Sequence, residues 1–159
     1  MSDIIIREAR AGELPALLAF EQGIIEAERP FDETFVSGDF HYYNLEVMIA
    51  NEQAAVIVAE LNGELIGSGN ARIMPARPYN HFKQYAFLGF MYVQPAHRGK
   101  GINSMIIAEL VRWAYSKGLY EVRLQVYAEN APAIAAYEKV GFKKHLTEMR
   151  LSTDAPVRQ

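Results

Sequence analysis

Two short stretches carry the residues whose types and spacing could do chemistry. The first is Arg98-Gly99-Lys100-Gly101, two cations alternating with two glycines. It follows Val93-Gln94-Pro95 and precedes an amphipathic run that begins at Ile102. Glycine has no Cβ, so an anion can approach its backbone closely. At a helix start the first N–H groups lack partners and the helix end is positive, which suits phosphate. Each anion contact with a helix end stabilises by roughly 0.3–1 kcal/mol, so several of them, helped by Arg98 and Lys100, could hold a diphosphate. No Gly-Lys-Ser/Thr follows, and the three-glycine spacing of a dinucleotide site is missing. Taken alone, the loop reads equally as a plain strand-to-helix turn with solvated cations.

The second stretch is Asn130-Ala131-Pro132-Ala133-Ile134-Ala135-Ala136-Tyr137-Glu138-Lys139-Val140-Gly141-Phe142. By itself it is a helix with Asn130 as cap, Pro132 in the first turn and Gly141 at the end. Ala133, Ile134, Tyr137 and Val140 form its buried stripe.

In this order and at this spacing, the two stretches resemble the GNAT superfamily of acyl-CoA N-acyltransferases. That family's cofactor motif, Arg/Gln-x-x-Gly-x-Gly/Ala after a Val-x-Pro-like strand end, is matched by Val93, Pro95, Arg98 and Gly101, with Asn103 where the last small residue is usual. Its second motif, Asn-x-x-Ala-x-x-x-Tyr-x-x-x-Gly-Phe, is matched by Asn130, Ala133, Tyr137, Gly141 and Phe142. The resemblance covers about the C-terminal half, and the other half follows only the family's order of elements. It implies a cofactor, acetyl-CoA, as co-substrate. The pantetheine arm would pair with backbone groups of Met91, Tyr92 and Val93 in a gap between splayed strands. The pyrophosphate would rest on N–H groups from Gly99 through Lys100, Gly101, Ile102 and Asn103 to Ser104, with Arg98 adding charge. Asn130 would bond the cofactor as well as cap its helix, and the Tyr137 hydroxyl would point at the sulfur. A phenol of ordinary pKa about 10 is protonated at neutral pH and can give a proton to a departing thiolate.

The general base is not legible. Tyr85 to Phe90, where many relatives carry a glutamate, has no carboxylate, and Gln125 stands at the other usual place. Glu26, Glu28, Glu33, His41 and His81 are the candidates from elsewhere. For the acceptor, the resemblance points to the first helices and their loop. There Glu26, Glu28, Asp32, Glu33 and Asp39 are mixed with Phe31, Phe35, Phe40, Tyr42 and Tyr43. Acids and aromatic faces suit a cationic amine, small or peptidic. Glu26, Glu28 and Gln125 are therefore the candidate substrate residues. An alternative is a regulatory module that binds acyl-CoA without turnover.

The elements that must position these residues follow from periodicity. Strands are expected over Ile4–Glu8, Ala54–Glu60, Leu65–Met74, Tyr85–Val93, Glu121–Tyr127 and Phe142–Leu151. Helices are expected over Glu13–Glu28, with a break possible at Gly23, around Leu45, Met48 and Ile49 behind an Asn44 cap, over Gly101–Lys117, and after Asn130. Ile102, Met105, Ile106, Leu110 and Trp113 should face the core. Asn62-Gly63 signals a hairpin, and Gly67 and Gly69 a bulge or a close backbone approach. This interleaving indicates one α/β domain with a mixed sheet, residues 1–152, and a polar tail, 153–159. The family resemblance sharpens this to a mostly antiparallel twisted sheet flanked by helices, splayed between its two central strands.

The chain has 159 residues, half of them hydrophobic, which suits one domain with a sizeable core. No apolar run spans a bilayer, and Met1-Ser2-Asp3 does not open a secretory leader, so no membrane partner is expected. With no cysteine, disulfides, a thiol nucleophile and an acyl-thiol enzyme intermediate are excluded. A cytoplasmic location fits, and no metal site is expected. The net charge of -3 gives no nucleic-acid footprint, so an anion site must be a local patch. Homodimers, common among relatives, are admitted by analogy.

Overall fold

The computed structural model describes residues 3–153. Strand β1 (Ile5–Glu8) leads through a 3-10 turn into helix α1 (Leu14–Glu28), and helix α2 (Leu45–Ala50) follows a long loop. Strands β2 (Ala54–Leu61) and β3 (Glu64–Pro75) form a hairpin. Its turn places Asn62 at φ 51° and Gly63 at φ 80°, as the Asn-Gly pair predicts. Strand β4 (Gln84–Val93), helix α3 (Ile102–Ser116), strand β5 (Val122–Leu124) and helix α4 (Ala131–Lys139) are the remaining elements among the described residues. The five strands lie in sequence order, antiparallel from β1 to β4, with β5 parallel to β4.

Strand periodicity divides the core into two layers. On β2, Ile57 and Ala59 face Ile102, Ile106, Ile107 and Leu110 of α3. Val56 and Val58 face Leu17 and Phe20 of α1 and Leu45 of α2 on the other side. Tyr137, Val140 and Phe142 pack against the α3 layer.

The feature that shapes the site is a bulge in β4. Ser68 pairs with Tyr92 and Asn70 with Gly89, so Gly69 alone opposes Phe90 and Met91. Phe90 takes a left-handed backbone, φ 56°. Two hydroxyls hold it there. The Phe90 N–H donates to Tyr43 Oη at 2.9 Å, and Ser68 Oγ donates to the Phe90 carbonyl at 3.0 Å. Both readings of the β3 glycines hold. Gly69 sits opposite the bulge, and a Cβ on it would lie 2.8 Å from Ile106 and from Met91.

Four expectations need correction. First, α1 runs unbroken through Gly23, which is small because a Cβ there would lie 2.9 Å from the Tyr92 ring. Second, β5 covers only Val122–Leu124 of the expected Glu121–Tyr127, because its pairing with β4 stops at Leu88, just before the bulge. Third, the expected last strand, Phe142–Leu151, is not a strand. With β5 this short it has no ladder to join. Leu146, Met149 and Leu151 are exposed, and Arg150 ties the segment to Asp32 at 3.1 Å instead. Fourth, Met105 is exposed and Ile107 is buried, so the core stripe of α3 is rotated from the expected one. Residues 154–159 of the polar tail lie outside the described residues.

Candidate active site

The glycine loop begins with a 3-10 turn at Pro95–His97, which ends β4. Gly99 and Gly101 then take φ 80° and φ 77°, and nothing lies within 4 Å of a Cβ built on either. The backbone there is open to an approaching anion. Gly101 is the N-cap of α3 and offers no side chain to its first turn. The N–H groups of Ile102, Asn103 and Ser104 precede the first intrahelical bond, which Met105 makes to Gly101 at 3.2 Å. Ile102 is buried, Asn103 half-buried, and Lys100 and Ser104 exposed. Arg98 turns back on the strand, its Nε donating to the Val93 carbonyl at 2.9 Å. It therefore braces the loop against β4 as well as bringing positive charge.

The splay is visible in the ladder. β5 follows β4 only from Ala86 to Leu88, so the β4 edge beyond the bulge has lost its parallel neighbour. The Gln94 N–H donates to the Ile66 carbonyl at 2.8 Å, toward β3. By strand alternation the backbone groups of Met91 and the Val93 N–H turn the other way, into the gap, while the Val93 carbonyl is taken by Arg98. Tyr92 is in register with Ser68, and its ring packs on Phe20 at 4.8 Å. An open edge that runs into unpartnered helix N–H groups fits an extended amide arm ending in a diphosphate.

Tyr137 stands on α4, half-buried against the α3 layer, with the Phe142 ring edge-on at 6.0 Å. Burial, helped by the charge of Glu28 and by Tyr43, pushes its hydroxyl up to about 12. Asn130 caps α4 by accepting from the Ala133 N–H at 3.4 Å. That leaves its amide N–H2 as the group available to a ligand.

The acceptor side separates the candidate acids. Glu26 is exposed and paired with Arg29 at 2.8 Å. Glu33 is exposed. Gln125 is exposed just past β5. His81 packs edge-on against Phe82 at 5.3 Å. Glu28, the last residue of α1, is half-buried and accepts from Tyr42 Oη at 2.7 Å. Burial raises its carboxyl above the usual range, and the Tyr42 bond opposes this. Phe40 and Tyr42 meet edge to face at 5.7 Å, and Phe31 stacks on Tyr127 at 5.7 Å. Asp32, Glu33 and Glu129 line an adjoining cleft of about 450 Å³.

Glu21 is the residue that sequence reasoning missed. It is fully buried in α1 and accepts from the backbone N–H groups of Tyr42 and Tyr43, each at 3.0 Å. Its other oxygen meets His41 Nδ1 at 2.5 Å. One buried carboxylate thus fixes both tyrosines. The only signal in the sequence was an acid within the apolar stretch of α1.

The profile of the acetyltransferase (GNAT) family matches residues 21–142. The chain belongs to the GNAT family. Glucosamine 6-phosphate N-acetyltransferase of Trypanosoma brucei brucei is 32% identical over 94 residues, 56% of this chain and 58% of that one. Thialysine N-epsilon-acetyltransferase of Sus scrofa is 28% identical over 155 residues, 93% of this chain and 88% of that one. A predicted acetyltransferase of Clostridium acetobutylicum, solved with acetyl-CoA, superposes with TM-score 0.69 at 19% identity, covering 94% of this chain and 96% of that one. The chain spans less than two thirds of the length of the first curated relatives it matches. No helix among the described residues is long and apolar enough to cross a membrane.

Proposed function

We propose that this GNAT protein is an N-acetyltransferase that moves the acetyl group of acetyl-CoA directly to a primary amine, small or peptidic and positively charged. One observation carries the reading: the β4 edge at Met91 and Val93, which β5 no longer pairs, leads into the open glycine loop and the first N–H groups of α3. Met91 and Val93 hold the pantetheine arm. The N–H groups of residues 99–104, with Lys100 and Arg98, hold the diphosphate. The cofactor supplies an acetyl group activated as a thioester. Tyr137 and Asn130 line the arm, and the buried Tyr137 hydroxyl donates a proton toward the sulfur as thiolate character develops. The phenol's raised pKa keeps it protonated until that moment.

An amine acceptor is supported by the acids and aromatic rings around Glu28, and by relatives named for glucosamine 6-phosphate and thialysine. A cation is stabilised by such carboxylates and ring faces. The exposed amide at Gln125 favours the second reading, an acyl-CoA-binding module without turnover, because it cannot take a proton. Thiol release from acetyl-CoA, measured over a panel of amines, separates the two. Turnover is expected with arginine-like, lysine-like, polyamine or basic-peptide acceptors. Coenzyme A binding without thiol release on any amine overturns the enzyme reading, and turnover confined to neutral or acidic amines overturns the cationic acceptor.

A further inference from the structure

The reaction needs a base, and the positions where a base is expected carry none. An alkyl amine with pKa near 10 arrives as ammonium and has no lone pair until a proton leaves. Among the acids on the acceptor side, Glu26 is spent on a surface pair with Arg29 and Glu33 is solvated. His41 is held by Glu21. Glu28 differs from these in three ways. It is half-buried, and its partner is a neutral hydroxyl, Tyr42 Oη at 2.7 Å, with no cation paired to it among the described residues. It lies where the acceptor loop meets the splay, since Tyr42 adjoins Tyr43 (rings 5.9 Å apart), whose hydroxyl holds the bulge at Phe90. Three residues further on, Phe31 stacks on Tyr127, just after β5, at 5.7 Å.

We propose that Glu28 is the general base, taking the proton from the acceptor ammonium directly or across the Tyr42 hydroxyl. The inference rests on the N-acetyltransferase reading. The proton moves to Glu28, or to Tyr42 Oη while the Tyr42 proton passes to Glu28. The freed nitrogen pair forms the N–C bond to the acetyl carbon, and the C–S bond breaks. The sulfur takes the Tyr137 proton, and the second proton lost by nitrogen restores Tyr137. Glu28 then releases its proton to water, so ammonium and thioester become amide, thiol and one free proton. The balance needs no co-reactant. The raised carboxyl of Glu28 suits the task, because a base closer to neutrality takes a proton more readily.

Glu28→Gln keeps a group that accepts the Tyr42 bond, and a thermal melt checks that it folds. With an alkyl amine at pH 7, kcat is expected to fall about 100-fold or more, the usual scale for a lost base. The affinity for coenzyme A by calorimetry should not change. The deficit should shrink as pH rises toward the amine's own pKa, and with a weakly basic hydrazine that arrives unprotonated. Tyr42→Phe removes the bond that lowers Glu28, so the acidic limb of the kcat/KM profile should move to higher pH. The groups facing Glu28 that could contribute to this profile are Tyr42, Tyr43, Tyr127 and Tyr137, all phenols that titrate far above that limb. A Glu28→Gln enzyme with wild-type kcat, or one with the same deficit at every pH and on the hydrazine, overturns the assignment. Absence of turnover by the wild-type protein on every amine overturns the N-acetyltransferase reading itself, and this assignment with it.

Discussion

The hydroxyl of Tyr137, pushed up to about 12, holds its proton through the neutral and mildly alkaline range. A phenol that retentive suits donation to a thiolate forming beside it, and is a poor base. Tyr137→Phe keeps the ring that packs on Phe142 and removes only the proton donor. Its kcat is expected to fall roughly 100-fold or more, while calorimetry finds coenzyme A affinity unchanged. Loss of affinity in parallel with kcat would instead make the hydroxyl a binding group. Reading Tyr137 from the sequence needed its motif, since an isolated tyrosine on an apolar helix face is ordinarily core. Glu28 had no motif at all. Its distinction from Glu26, two residues earlier, comes from which side of the α1 terminus each occupies. Glu26 reaches Arg29 in solvent, and Glu28 meets Tyr42, fourteen residues along the chain.

At the scale of elements, the β4 bulge makes the site. It turns β4 from β5 after Leu88 and frees the edge at Met91 and Val93. Phe90 is held left-handed, a backbone that costs a non-glycine residue about 1–3 kcal/mol, so its surroundings must impose it. Tyr43 does so by satisfying the Phe90 N–H, and Glu21 holds Tyr43. Tyr43→Phe should leave that N–H unpaired inside the protein. Urea unfolding should then show a loss of about 1–3 kcal/mol, with weaker coenzyme A binding as the edge relaxes. Unchanged stability and affinity would show that the bulge stands without this bond.

At the scale of the molecule, the N-terminal strand is tied in by charge. Arg7 on β1 bridges Glu13, before α1, at 2.6 Å and Glu60 on β2 at 2.8 Å. The Arg7 hydrogen bond holds the Glu13 carboxyl below the usual carboxylate range. A carboxyl lowered on folding stabilises the protein while it is ionised. That contribution is complete above the unfolded value and is lost as pH falls through the folded one. Unfolding free energy measured by urea should therefore decline from pH 5 toward pH 3, and Glu13→Gln should flatten the decline. An equal slope in both proteins would show that Arg7 gains no more from Glu13 than from solvent.

Local chemistry made much of this protein readable. The Asn-Gly hairpin, the glycine loop before α3, the caps at Asn44 and Asn130, and the order of the elements depend on neighbours within a few residues. The apolar, β-prone run from Ala54 marked β2 as a strand. What sequence could not decide depended on contacts between distant segments. Gly23 looked like a helix break, and it is the gap that admits Tyr92. The strands expected at Glu121–Tyr127 and Phe142–Leu151 had the right composition, but a strand exists only where a neighbour pairs with it, and the bulge in β4 withdrew that neighbour. The clamp from Glu21 to Tyr42 and Tyr43, and the meeting of Glu28 with Tyr42, join residues far apart along the chain. Burial and charge there follow from the fold, so the environment of those carboxylates belongs to the tertiary structure alone.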